Sequence, residues 1–224
     1  SSRARFNGGS QTLGGSGTVV FNGAGTQALM AGANNMTLTI DSGITIRGGN
    51  NLNSTFSGAV IGYNSSFGGG TNTSIVNLGT IIADGGASTF LQINPNGGTF
   101  TNSGSIGAQG GSGLTVTGLT GVLGTASASG TGSALALSGA NYANSGVLNL
   151  PAGTTLTLGG TWSNTGTINA TSATVNLGGT FTVASVGVLN RTGGSVNITG
   201  TLTNTDTTLT LNATSGDWRL AGGT

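Results

Sequence analysis

The chain has 224 residues and contains no Cys, His, Lys or Glu. Without Cys there is neither disulfide stapling nor thiolate chemistry. Five Arg and four Asp make up all of its charge, a net of +1, and no side chain between Asp84 and Arg191 is charged. A nucleic-acid binder needs several Lys or Arg on one face to neutralise phosphates. Arginines scattered at 3, 5, 47, 191 and 219 do not meet that need. No apolar run approaches the ~20 residues that span a bilayer. With two prolines and no charge run, nothing marks a linker or a domain boundary.

The same scarcity bears on catalysis. Only Asp41, Asp84, Asp206 and Asp217 are available for acid-base work. Glycoside hydrolysis by paired carboxylates needs two of them within about 10 Å of each other. Asp206 and Asp217 lie about half a repeat apart and are expected on different faces, whereas Asp41 and Asp84, about two repeats apart, could share an edge. Asp41-Ser42-Gly43 and Asp84-Gly85-Gly86 also read as ordinary turn starts. Gly68-Gly69-Gly70 and Gly110-Gly111-Ser112-Gly113 lack the acid of calcium-binding β-rolls, and a phosphate loop would need the missing lysine. The sequence therefore predicts no enzyme, no cofactor and no metal site.

What the chain has is repetition. A phrase of two branched apolar residues around one small or polar residue, closed by glycine, recurs at Leu114-Thr115-Val116, Leu135-Ala136-Leu137, Leu156-Thr157-Leu158, Val175-Asn176-Leu177 and Val196-Asn197-Ile198, and again at Trp218-Arg219-Leu220. Its second apolar position steps through Val116, Leu137, Leu158, Leu177, Ile198 and Leu220 at intervals of 21, 21, 19, 21 and 22 residues. Out of phase with it, an aromatic or Leu precedes Asn by two in Phe100-Thr101-Asn102, Tyr142-Ala143-Asn144, Trp162-Ser163-Asn164 and Leu202-Thr203-Asn204. Gly-x-Ile/Leu strands recur with it at Gly104-Ser105-Ile106, Gly146-Val147-Leu148, Gly166-Thr167-Ile168 and Gly187-Val188-Leu189.

Alternation such as Leu-Thr-Leu-Thr puts one residue type on each side of a strand. A coil of about 20 residues cannot bury its apolar edge alone, but stacked coils can. The fold class that follows is all-β: a single-stack parallel β-helix, or β-solenoid, with about 20–21 residues and three short strands per coil. Ten or eleven coils at about 4.8 Å each make a rod about 50 Å long. Right-handed winding follows from the general preference of parallel crossovers. Forty-six glycines, with Asn and Ser, supply the turns.

One continuous solenoid is expected over 1–224, with regular coils over 74–224 and less regular ones over 1–73. The stretch 47–73 is a candidate protruding recognition loop, with Asn50, Asn51, Asn53, Tyr63, Asn64 and Phe67 as its candidate contacts, although Val60-Ile61 within it could be a further core strand. Phe100, Tyr142, Trp162 and Phe181 are expected to form a stacked aromatic column in the core. Asn102, Asn144, Asn164 and Asn204 are expected to form an amide ladder at a turn.

The Asn-Ser/Thr-Gly-x-Ile turns and Thr-Leu-Thr-Leu-Gly-Gly strands over about 74–224 resemble the β-strand-repeat passenger regions of bacterial autotransporters and filamentous-haemagglutinin-type exoproteins. The resemblance implies an exported bacterial protein, secreted or held at the cell surface, acting as a rigid stalk, adhesin segment or fibre subunit. Its partners would be further copies or repeats of the same protein and surface or matrix glycans. Because no start methionine or polar terminal cap is visible, a fragment of a longer repeat protein is expected. Two alternatives stay open. Outward Thr115, Thr117, Thr155, Thr157, Thr208 and Thr210 suggest an ice-binding face, interrupted by Ala136, Asn176, Asn197 and Arg219. A polysaccharide-binding or polysaccharide-cleaving β-helix is the other.

Overall fold

A computed structural model describes residues 1–51, 58–213 and 215–222. Every ladder pairing between its strands is parallel, and each strand pairs with its counterpart one coil further along the chain. The molecule is a β-solenoid of about ten turns, with three faces per coil.

The first face is a run of ten strands: Ser2–Phe6, Gln27–Ala31, Ala59–Gly62, Phe90–Asn94, the leading halves of Gly113–Val122, Ala134–Asn144 and Thr155–Asn164, then Thr174–Leu177, Ser195–Ile198 and Trp218–Leu220. The second face takes Gln11–Leu13, Thr37–Ile40, Ser74–Asn77, Phe100–Asn102, the trailing halves of the three long strands, Thr180–Thr182 and Thr201–Thr203. The third face is split. Gly17–Phe21, Ile44–Gly48, Thr80–Ala83, Ser105–Gln109 and Thr125–Ser129 form one sheet, and Val147–Leu150, Thr167–Thr171 and Val188–Thr192 form another.

One inward column on the first face runs unbroken through Ala4, Leu29, Ile61, Ile93, Val116, Leu137, Leu158, Leu177, Ile198 and Leu220. Its members from Leu29 to Ile198 are buried, while Leu220 on the last described coil is 82% exposed. Leu220 therefore stands in the column but outside the core, because no described coil covers it. The repeat holds register even where the sequence spacing drifts. Gln27 and Ala59, and then Ala59 and Leu91, are paired across 32 residues each, against 21 for Leu135 and Leu156. The extra residues lie in the corners, so the strands still stack.

Glycine is required where two corners touch. A methyl group on Gly160 would overlap the carbonyl oxygen of Gly139, one on Gly179 that of Gly160, and one on Gly200 that of Gly179. Backbone packs directly on backbone along this edge. Gly160 also has φ of +74°, which L side chains rarely adopt.

Strands alone do not account for the chain. Val183–Val186 is a single helical turn capped by Thr182, whose hydroxyl accepts the Ser185 N–H, and it fills the extra residues between Thr180–Thr182 and the third face. Sequence spacing shows only an insertion there, since four residues are too few for a helical period.

Candidate functional site

The side chains that can act are those that point out of the rod or line a corner. Outward Asn residues form hydrogen-bonded rows that the sequence repeat contains but that were not expected to be linked. On the third face Asn190 Nδ2 donates to Asn169 Oδ1 (2.9 Å), and Asn169 Nδ2 donates to Asn149 Oδ1 (2.8 Å). On the first face Asn197 Nδ2 donates to Asn176 Oδ1 (2.8 Å), and Asn176 Nδ2 donates to Thr157 Oγ1 (3.1 Å). The signal was present as the Asn closing the Gly-x-Ile/Leu-Asn phrases and as the central Asn of Val175-Asn176-Leu177 and Val196-Asn197-Ile198.

Inside, the amide ladder divides into two rungs of two. Asn77 Nδ2 donates to Asn102 Oδ1 (2.7 Å), and Asn102 passes the chain to the Leu123 carbonyl. Asn144 Nδ2 donates to Asn164 Oδ1 (2.7 Å), and Asn164 donates to the Val186 and Val188 carbonyls. Leu123 occupies the intervening rung. Asn204 stands elsewhere: it is exposed and takes the Thr207 hydroxyl, and no third-face strand follows it among the described residues. Asn77, which no aromatic-x-Asn phrase marks, replaces it at the other end of the ladder.

The aromatics also divide. Tyr142 pairs with Trp162, and Trp162 stacks on Phe181 at 5.0 Å between ring centroids. Phe100 lies over Leu119 instead, and Tyr142 lies over Gly121, so Phe100 is not in that column. Register shifts at Leu119 and between Gly139 and Tyr142 separate the two sets. All four are 5% exposed or less. Buried polar edges are satisfied: Trp162 Nε1 donates to the Gly178 carbonyl (2.9 Å) and the Tyr142 hydroxyl to Leu137 (3.1 Å). Burial pushes the Tyr142 phenol above its ordinary value, with a backbone hydrogen bond opposing the shift.

The candidate recognition residues do not share one loop. Ala59–Gly62, wholly buried, runs between them as the first-face strand of the third coil. Tyr63, Asn64 and Phe67 belong to its far corner, where Asn64 is fully buried and the Arg3 guanidinium lies over the Phe67 ring at 5.1 Å. Asn50 and Asn51 belong to the near corner. Asn50 is 4% exposed, bonds Gly25 O through its side chain (2.9 Å) and bridges Phe90 through its backbone. Asn53 falls outside the described residues.

That near corner borders a cleft of about 590 Å³, which spans the corners of the first three coils. Val20, Phe21, Arg47, Asn51, Asp84 and Thr89 are among the residues that line it. Arg47 Nη2 is ion-paired with Asp84 Oδ2, and Asp84 Oδ1 accepts the Gly48 N–H (2.8 Å). The arginine side chain is 53% exposed and its partner only 11%.

No family model, curated protein or solved structure matches the chain.

The carboxylates are dispersed. Asp41 sits at the corner between second and third faces and Asp84 at the opposite end of the third face, so the shared edge expected for them is not formed. The corner residues inserted before Ser74–Asn77 break the count of whole periods that placed them together. Asp206 and Asp217 are exposed in the last coil. Among the described residues no three acidic side chains come together as a metal-binding group.

Proposed function

We propose that this β-solenoid is a non-enzymatic segment of an extracellular rod with a structural or adhesive role. The observation that carries the reading is the pair of outward rows Asn149–Asn169–Asn190 and Thr157–Asn176–Asn197, whose side chains are hydrogen-bonded from coil to coil. Such rows are stiff, uncharged and repeated at the coil spacing of about 4.8 Å. They offer the same weak hydrogen-bonding group many times over, and multivalent contact turns weak bonds into useful avidity. The buried columns and axial backbone bonds supply rigidity. Surface display and bacterial export rest on the resemblance of the repeat to autotransporter and haemagglutinin-type passenger regions.

Beads coated with the chain at increasing density test the adhesive role on cell-surface and matrix preparations under flow. Retention should rise more steeply than linearly with density. Retention no greater than that of albumin-coated beads at every density would overturn it.

A further inference from the structure

The cleft at the corners of the first three coils differs in kind from the rest of the surface. The chain has nine charged side chains, and the one ion pair among the described residues, Arg47 with Asp84, lies at this cleft. Asp84 is nearly buried while about half of the Arg47 side chain stays in solvent, so the pair turns its guanidinium toward the cleft. Its setting is unusual as well. In the outward column of the third face, Arg47 stands between Val20 on the coil before and Ile82 on the coil after. Val20 is 51% exposed, a large apolar side chain left in solvent beside a charged one. Between Arg47 and Asp84 the lining is glycine backbone, Gly48, Gly49 and Gly85. A side chain at Gly85 would meet Thr89 Oγ1 at 2.8 Å and the Gly49 carbonyl at 2.9 Å.

We infer that this cleft is a binding site for an uncharged glycan. The inference rests on the adhesive reading above and gives it a discrete site. A sugar hydroxyl both donates and accepts hydrogen bonds, and neighbouring hydroxyls require a donor and an acceptor side by side. Arg47 supplies guanidinium N–H donors and Asp84 carboxylate acceptors. Both are charged partners, which make the stronger kind of hydrogen bond. Asp84 is fixed by the Gly48 N–H as well as by Arg47, so the pair is already oriented. The C–H face of a sugar ring packs on aliphatic surface, which Val20 presents. Asn51 adds a further hydrogen-bonding group at the rim, while the Thr89 hydroxyl is engaged by the Gly86 carbonyl and Ser112. The volume lies within the range of about 300–1,000 Å³ usual for ligand sites.

Charge selects among glycans. Arg47 is already neutralised by Asp84, so a uronic or sialic acid would set its carboxylate against that of Asp84 without an unpaired cation to receive it. Neutral sugars carry no such penalty.

The test is a glycan array bearing neutral and acidic oligosaccharides, probed with the 224-residue chain, followed by titration of the best neutral oligosaccharide. Arg47→Met removes the donors, and Val20→Trp, at the position paired with Arg47 on the preceding coil, fills the cleft mouth. Each should weaken binding about tenfold or more, the equivalent of one lost charged hydrogen bond. Arg191→Ala, remote on the third face of a later coil, should bind as the parent does. Binding of no neutral glycan, preference for acidic ones, or parental affinity in both variants would overturn the site. If beads carrying the two variants still adhere as the parent does, the site fails while the adhesive rod stands.

Discussion

Two glycines with almost the same backbone conformation allow close stacking to be separated from left-handed strain. Gly160 has φ of +74° and Gly121 of +73°, yet a methyl on Gly160 would run into the Gly139 carbonyl, whereas one on Gly121 would meet nothing within 4 Å. Alanine at either position incurs the left-handed penalty of about 1–2 kcal/mol. Reduced unfolded-state entropy offsets about 0.4–1 kcal/mol of it. Gly121→Ala should therefore cost about 1 kcal/mol. At Gly160 the coils must also part, and forcing an extra methyl into packed structure costs about 1–3 kcal/mol more. Gly160→Ala should thus lose about 2–4 kcal/mol in total, about 1–3 kcal/mol more than its partner variant. Urea unfolding followed by far-UV circular dichroism measures the difference, and the fluorescence of Trp162, two residues from the substitution, reports the local coils. Equal losses in the two variants would refute the claim that backbone contact between coils is what demands glycine.

Leu137→Ala should cost about 2–5 kcal/mol, since its side chain is 1% exposed within the first-face column. Leu220→Ala, at 82% exposure in the same column, should change stability by less than about 0.5 kcal/mol; urea midpoints compare the two. Asn164→Ala leaves Asn144 Nδ2 and the Val186 carbonyl without their buried partner, for a loss of about 1–3 kcal/mol in the same assay. The Tyr142 phenol is held neutral by burial and its folded pKa lies above the unfolded value of about 10. Its contribution is present in full below pH 10 and is lost as pH rises beyond that, because the unfolded chain ionises first. Thermal melts above pH 10 should fall more steeply for the parent than for Tyr142→Phe.

The sequence made the inward residues legible because each coil must present a branched apolar side chain at the same point, whatever its corners do. That rule identifies Val116, Leu137, Leu158, Leu177 and Ile198, and the structure extends the same column back through Ile93, Ile61 and Leu29. The earlier members escaped the count because corners before Ala59 and Leu91 lengthen the step to 32 residues. Corner length also hid the site. Arg47 and Asp84 are 37 residues apart, which is no multiple of the period, so nothing local announces their pairing. The aromatic spacing misled for another reason: Phe100 and Tyr142 differ by two periods, but register shifts in the coil between them slide the second face. Asn204 matched its phrase, yet a ladder needs a stacked neighbour, and among the described residues the last coil has no third-face strand to hold it.

The split of the third face has a mechanical meaning. Thr125–Ser129 pairs with the strand before it and Val147–Leu150 with the strand after it, but the two do not pair with each other, and a cleft of about 480 Å³ opens between them at Ala128, Leu150 and Pro151. Tension along the axis is borne by the hydrogen bonds between coils, which act in parallel on three sides. At this joint only two sides carry the load. The two continuous faces act there as the leaf of a hinge, so bending opens the third side first. A rod built this way is stiff over five coils, compliant at one seam and stiff again beyond it.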